Sequence, residues 1–333
     1  MRHHIASFII CVLLIWPSAM AEANTSKPSY AELEQAYYQR QYRVLASQLK
    51  MFDRNDVKID LLAVALAVAT HQQDKTTQLE ALTARHPDNA QVRFMAGKLW
   101  YQIKQQSSLF NKLALVEKSN ENYLMAAKLA PDNPQYLIEA AKALAIQSGF
   151  FDAEKQASKA VVEKLAQLDQ RSYYLALMDY WQNTQNAAAA KQTIATIKAD
   201  FHHDMALLNR AANLLWTFAE QSQAQHLFVA SCKLTAPTAE QLPQWQDACL
   251  SAAYLALQNY GDKQQALEAL NLLLSEDKVT DEQYVGYLML HAELNLALAG
   301  EATALQSYQQ ALALTTHDST RKDIRNQLRK LTK

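Results

Sequence analysis

Two cysteines and one histidine pair are the residues best equipped for chemistry in this chain. Three cysteines occur in all, and Cys11 falls in an apolar N-terminal stretch, leaving Cys232 and Cys249. In an oxidising compartment such a couple can form a disulfide. Cys232 falls about one turn before a helix end expected near Ala236. Cys249 falls about one turn after a helix start expected near Gln244. Antiparallel neighbours would set the two at one level. A bridge there would close a short loop, worth roughly 3 kcal/mol in the chain-entropy description, and would pin the connection from Pro237 to Pro243. Two separately buried thiols are the alternative. His202-His203-Asp204 is the one local cluster that invites a metal. Adjacent residues at the mouth of a helix point in different directions, whereas a metal needs converging ligands. No metal ligand is assigned, and a polar turn between helices is expected there.

Other reactive patterns are missing. Gly97, Gly149, Gly261, Gly286 and Gly300 are scattered singly, so no glycine-rich phosphate loop can be built. Neither a G-x-S-x-G elbow nor two histidines a turn apart around a glutamate occurs. His226 and His291 are isolated positions inside expected helices. The expectation is a protein that is not an enzyme and needs no cofactor.

The elements that hold these residues must be helices. Five glycines and seven prolines in 333 residues leave too few tight turns for an all-β chain of this length. Alanine, leucine, glutamine and lysine, which fill the sequence, favour helix.

Residues 1 to 21 form an expected secretory signal peptide. Arg2 and two histidines precede the apolar run Ile5 to Trp16, and Ala19-Met20-Ala21 supplies a cleavage site after Ala21. A flexible segment, 22 to 28, would follow. With no cysteine at that point to carry a lipid, the expected location is the periplasm of a Gram-negative cell. Nothing later reaches the ~18 uninterrupted apolar residues of a membrane span. Removing the leader takes away Arg2 alone, so the formal charge moves from −1 to −2. That balance argues against a nucleic-acid partner, which calls for a basic field. Basic residues gather only at the end, in Arg321, Lys322, Arg325, Arg329, Lys330 and Lys333. A solvated terminal helix face accounts for them.

A period near 34 residues organises the rest, as in helix-turn-helix repeats that cannot bury their apolar faces singly. Small residues recur twelve apart, at Ala212 and Ala224 and at Ala292 and Ala304, with Phe228, Tyr308 and Ala311 completing those units. A third unit has Ala63, Leu66, Leu79 and Leu82, with Lys75 at its second small site. A fourth has Ala266, Leu270 and Leu273, with Tyr254 at its first. Pro87-Asp88-Asn89 and Pro131-Asp132-Asn133-Pro134 stop one helix and cap the next. With Ala126 to Ala130 they resemble the ending of a tetratricopeptide repeat. Ser107-Ser108-Leu109-Phe110, Gly149-Phe150-Phe151 and Leu165 to Asp169 also resemble a group of exported bacterial repeat proteins of undefined role. The expected fold is an all-α, right-handed superhelical solenoid of antiparallel hairpins over residues 29–333. Eight hairpins are expected, at 29–53, 56–87, 90–131, 134–169, 171–203, 205–237, 244–279 and 281–316, followed by a capping helix at 318–332. The third is enlarged, either in its helices or around Gln105 to Phe110. A seam is possible at 235–243.

The resemblance implies a concave wall built from the first helix of each hairpin, and a partner that is a protein or a peptide. It carries groove roles to Asn209, Asn213 and Trp216, with Arg210 beside them. It also carries them to Asp179 and Gln182, to Gln258 and Glu293, and to Gln91, Lys98, Tyr101, Glu139 and Lys142. Amides suit a peptide backbone, since each offers donors and an acceptor. Packing between repeats is the plainer role for Trp216. Two further expectations stand beside a peptide scaffold. One is a subunit of a cell-envelope complex docking through its convex face. The other is an enzyme or carbohydrate-binding module, to be recognised by a deep pocket with perturbed acids or with Trp100, Trp181 or Trp245.

Overall fold

The computed structural model describes residues 27–147, 152–234, 238, 241–275 and 281–332. The expected signal peptide, most of the segment 22–28, Gly149-Phe150-Phe151 and most of the possible seam lie outside the described residues.

Among those residues the chain is helical throughout, and its helices pair in order. Hairpin 1 is α1 (Tyr30–Tyr38) with α2 (Tyr42–Leu49), and hairpin 2 is α3 (Val57–Ala69) with α4 (Lys75–Arg85). Hairpin 3 is α5 (Ala90–Gln105) with α6 (Lys112–Leu129), and hairpin 4 is α7 (Pro134–Gln147) with α8 (Asp152–Leu168). Then come α9 (Gln170–Asn183) with α10 (Ala187–Asp200), and α11 (Met205–Thr217) with α12 (Gln221–Cys232). The last two are α13 (Leu242–Leu257) with α14 (Lys263–Leu274), and α15 (Asp281–Ala297) with α16 (Glu301–Leu314). Helix α17 (Asp318–Leu331) closes the array. Substantial contacts join helices one or two apart in this order, which makes the fold an all-α solenoid.

Local chemistry sets the helix starts. Asp56, Asn89, Asp169, Asn186, Asp204 and Asp262 each accept a hydrogen bond from a backbone N–H of the first turn, satisfying donors that a helix N-terminus leaves unpaired. Ser29 and Glu32 make a reciprocal capping box.

Helix ends share one device. In six hairpins the first helix stops at a non-glycine residue with positive φ: Arg40, His71, Gln185, Ala219, Asn259 and Ala299. The N–H that follows then donates back five residues, as from Glu220 to the Leu215 carbonyl at 2.9 Å and from Gly300 to the Asn295 carbonyl at 2.7 Å. This is the Schellman closure, for which glycine is the unstrained choice. A chain so poor in glycine meets it with side chains that cost about 1–2 kcal/mol each in this conformation.

Close crossings follow the small residues. Ala212, Ala224, Ala292 and Ala304 are fully buried. At Gly97 a β-carbon would lie 2.6 Å from the Tyr123 ring, so glycine lets α6 approach α5. Hairpin 3 is enlarged in both expected ways: α5 and α6 span 16 and 18 residues, joined through a 3-10 turn at Leu109–Asn111. Tyr254 departs from its expected site. It is 49% exposed, while Ala252, Ala253 and Ala256 fill the interior of α13.

Ala299→Gly is expected to raise the unfolding free energy by about 0.5–1 kcal/mol, the strain relieved less the extra freedom glycine brings to the unfolded chain. Urea denaturation measures it. A lowered midpoint would contradict the turn geometry.

Candidate functional site

Cavities lie mainly along the odd-numbered helices, and the first hairpin lines two of them. One of about 1430 Å³ is lined by Arg40, Arg43 and His71, by Gln102 of α5 and Gln106 at its end, and by Gly286, Met289, Thr315 and Asp323 near the other end of the chain. Another, of about 560 Å³, sets Glu34 and Tyr38 of α1 against Phe94 and Lys98 of α5, Tyr136 of α7, and Thr238. The array therefore curls until its first hairpin faces both its middle and its last units. Arg40 is close enough to the α13–α15 wall to favour the charged form of Asp247, whose pKa burial raises, and to offset the burial of Tyr287.

Asn209, Arg210 and Asn213 line a further cavity of about 580 Å³ with Pro243, Gln244, Asp247 and Ser251. The structure brings these three together but engages two of them in holding hairpins. Arg210 donates to Asp179 at 2.7 Å, joining α11 to α9. Asn209 is buried and donates to the Gln244 carbonyl at 2.9 Å, joining α11 to α13. Asn213 is exposed and donates to the Asn209 carbonyl at 2.9 Å. Trp216 packs edge-on to Phe228 with centroids 6.0 Å apart, and lies 6.2 Å from Tyr254. It is half-buried against the core, so packing is its main contact.

Asp179 is the most constrained of the groove residues. Only 2% of it is exposed, and its Oδ2 has no hydrogen-bond partner. Burial pushes its pKa up, with Glu139 adding to the rise, against the opposing pull of Arg210 and Lys142. Removing the arginine would leave an unpaired carboxylate that a low-dielectric site penalises heavily.

Gln182 is half-buried, and its carbonyl accepts from Gln185 at 2.7 Å. Gln91, Gln258 and Glu293 are exposed. Lys98 lies 4.7 Å from the Phe94 ring centroid. Tyr101, Glu139 and Lys142 meet in a cavity of about 320 Å³ with Lys104 and with Ser119, Asn120 and Tyr123 of α6. The second-helix residues were invisible to a reading of first-helix groove positions. Gly97, whose missing side chain admits Tyr123, is the one signal that pointed to them.

The tryptophans line no cavity described above. Trp100 and Trp245 are buried, and Trp181 donates to Thr193 at 3.0 Å. The His202 and His203 rings lie with centroids 3.9 Å apart, tilted by 52°, while Asp204 caps α11 and pairs with Arg171. No group of three or more potential metal ligands occurs among the described residues. No helix among them is long and apolar enough to cross a membrane.

The cysteines meet across α12 and α13, with Cα atoms 5.1 Å apart, inside the range a disulfide spans. The helix limits differ from expectation. Helix α12 stops at Cys232 instead of near Ala236, and α13 opens at Leu242. Trp245 Nε1 donates to the Cys232 carbonyl at 2.8 Å, satisfying an acceptor that the early helix end would leave unpaired.

No family model matches the chain, and no curated protein matches it. Among solved structures it is similar to a chain in the crystal structure of the APC/C hetero-tetramer Cut9-Hcn1. The two are 16% identical with a TM-score of 0.42, over 94% of this chain and 57% of that one. This chain thus spans little more than half the length of the one it matches.

Because Asp179 has a raised folded pKa, its contribution to stability is full below its unfolded value, about 3.9, and is lost as pH rises through the folded value. Asp179→Asn is expected to remove that loss. Denaturant unfolding between pH 4 and 8 should show a shallower decline for the variant than for the wild type; matching slopes would contradict the assignment.

Proposed function

We propose that the chain is an exported scaffold that holds a protein or peptide segment on its concave face, in the periplasm of a Gram-negative cell. The observation that carries the reading is the large cavity between the ends of the array. Its volume of about 1430 Å³ exceeds the 300–1,000 Å³ of a small-molecule pocket. Its lining of arginine, glutamine, histidine and threonine offers donors and acceptors suited to a polypeptide backbone. The reading needs no reaction and no cofactor.

A second reading, a subunit of an envelope complex, is favoured by the tip of hairpin 3. Leu109, Phe110 and Leu113 there are 78%, 94% and 83% exposed, an apolar knob of the kind that marks contact surfaces. Photocrosslinking residues at Gln102 in the groove and at Phe110 on the knob, used in intact cells, separate the two. Capture of a protein from position 102 is expected; capture from position 110 alone would transfer the function to the knob.

Within this scaffold we propose that Cys232 and Cys249 form a disulfide after export. Their Cα separation and the oxidising compartment support it. The mature protein is expected to titrate no free thiol in denaturant, and reduction is expected to cost roughly 3 kcal/mol of stability. Two titratable thiols and unchanged gel mobility on reduction would contradict the bridge.

A further inference from the structure

Large apolar side chains stand clear of the fold at the tip of hairpin 3. Among the described residues only Leu109, Phe110 and Leu113 are large, apolar and more than half exposed, and Ala114 beside them is exposed as well. Side chains that open have few neighbours on any side, so the tip is convex. A protein pocket would have to match its shape, whereas lipid chains close around a convex apolar surface. The backbone there is partly prepared to leave water. Asn111 N–H donates to the Ser108 carbonyl at 3.2 Å, and Lys112 N–H donates to the Leu109 carbonyl. The 3-10 turn thus meets part of its own hydrogen-bonding need, as a medium without water requires.

Charge favours an anionic surface. No acid occurs between Asp88 and Glu117, while Arg93, Lys98, Lys104 and Lys112 lie between them. Lys104 stands in the last turn of α5 and Lys112 opens α6, so the two flank the apolar tip. Neither has a carboxylate within ion-pair reach among the described residues. A lysine stem can lie along apolar surface while its ammonium stays at headgroup level. The neighbouring edge of the array adds cations. Gln106, just before the tip, shares the large cavity with Arg40, Arg43 and His71, and Asp323 is the acid in that lining. Glu117 lies one turn farther along α6 than Leu113.

We propose that the tip of hairpin 3 enters the interfacial region of a bilayer that bears anionic phospholipid. Leu109, Phe110 and Leu113 pass below the headgroups, and Lys104 and Lys112 pair with phosphate. Apolar insertion and cationic attraction are both needed, because three side chains alone make a shallow anchor and basic residues alone are screened by salt. The protein is then peripheral to a membrane, held by one tip with the rest of the solenoid in water. This goes beyond the scaffold reading and does not depend on what the groove holds.

The test is co-sedimentation of the mature protein with vesicles of phosphatidylethanolamine containing about one-third phosphatidylglycerol, the proportion that gives a strongly anionic surface, and with vesicles of phosphatidylcholine. Binding to the anionic vesicles is expected to be at least tenfold tighter. Replacing both Phe110→Ser and Leu113→Ser is expected to weaken it at least tenfold without lowering the thermal unfolding midpoint, since both side chains are exposed. Lys112→Gln is expected to cost about fivefold, and Lys112→Arg to retain binding. Phe110→Trp reports depth, and its added fluorescence over wild type is expected to be quenched by lipids brominated on their acyl chains. Equal binding to both vesicles, full binding by the double serine variant, or no quenching would overturn the proposal. Capture of a protein from position 110 without vesicle binding would overturn it too, and would give the tip a protein partner. Capture from position 102 reports on the groove alone and stands or falls separately.

Discussion

A helical hairpin that is apolar on both broad sides cannot stand alone in water, and everything else in this protein follows from covering those sides. Helix α11 makes the constraint concrete. It buries Leu207, Leu208, Ala211, Ala212, Leu214 and Leu215, a set that runs around much of the helix and needs α9, α12 and α13 at once. Full burial of one such leucine contributes about 1.5–3 kcal/mol, so no single unit is stable without its neighbours. The ends need their own cover. Helix α17 buries Ile324 against α15 and α16 and carries Arg329 and Lys330 in its last turn. At the other end Tyr30, Tyr37 and Tyr42 shield the leucines of hairpin 1.

Close stacking of curved units also decides what the polar groove residues do. Where first helices converge, their side chains meet each other before they meet a partner. Arg210 answers Asp179, and Asn209 answers the Gln244 carbonyl. These bonds tie three successive hairpins together, and the carboxylate inside them stays buried, paired with Arg210 and within the field of Lys142.

The fold was readable because the residues that stop and start helices act locally. Pro87-Asp88-Asn89 and Pro131-Asp132-Asn133-Pro134 mark hairpin boundaries by backbone geometry alone, and Asp56 or Asp262 caps a helix whatever lies around it. The six positive-φ turns were hidden, because arginine, histidine and alanine do not advertise that conformation. Tyr254 misled because a twelve-residue spacing assigns a position without saying which way the helix is rotated. Site residues were harder still. Asn209, Arg210 and Asn213 do share a cavity, but whether a polar side chain is free or already bonded depends on its neighbour thirty residues away. Arg40 facing Asp247 depends on the summed curvature of the whole array, which no local pattern encodes.

That curvature is the central claim, since it creates the large cavity between the first hairpin and the last helices. Seven steps of roughly 10 Å between stacked helices would put the ends of a straight array on the order of 70 Å apart. Spin labels on unnatural amino acids at Arg43 and Asp323, two residues lining that cavity, measure the separation by pulsed dipolar spectroscopy. A curled array is expected to show a narrow distribution below about 30 Å, whereas a broad distribution centred near 70 Å, the span set by helix stacking, would contradict it.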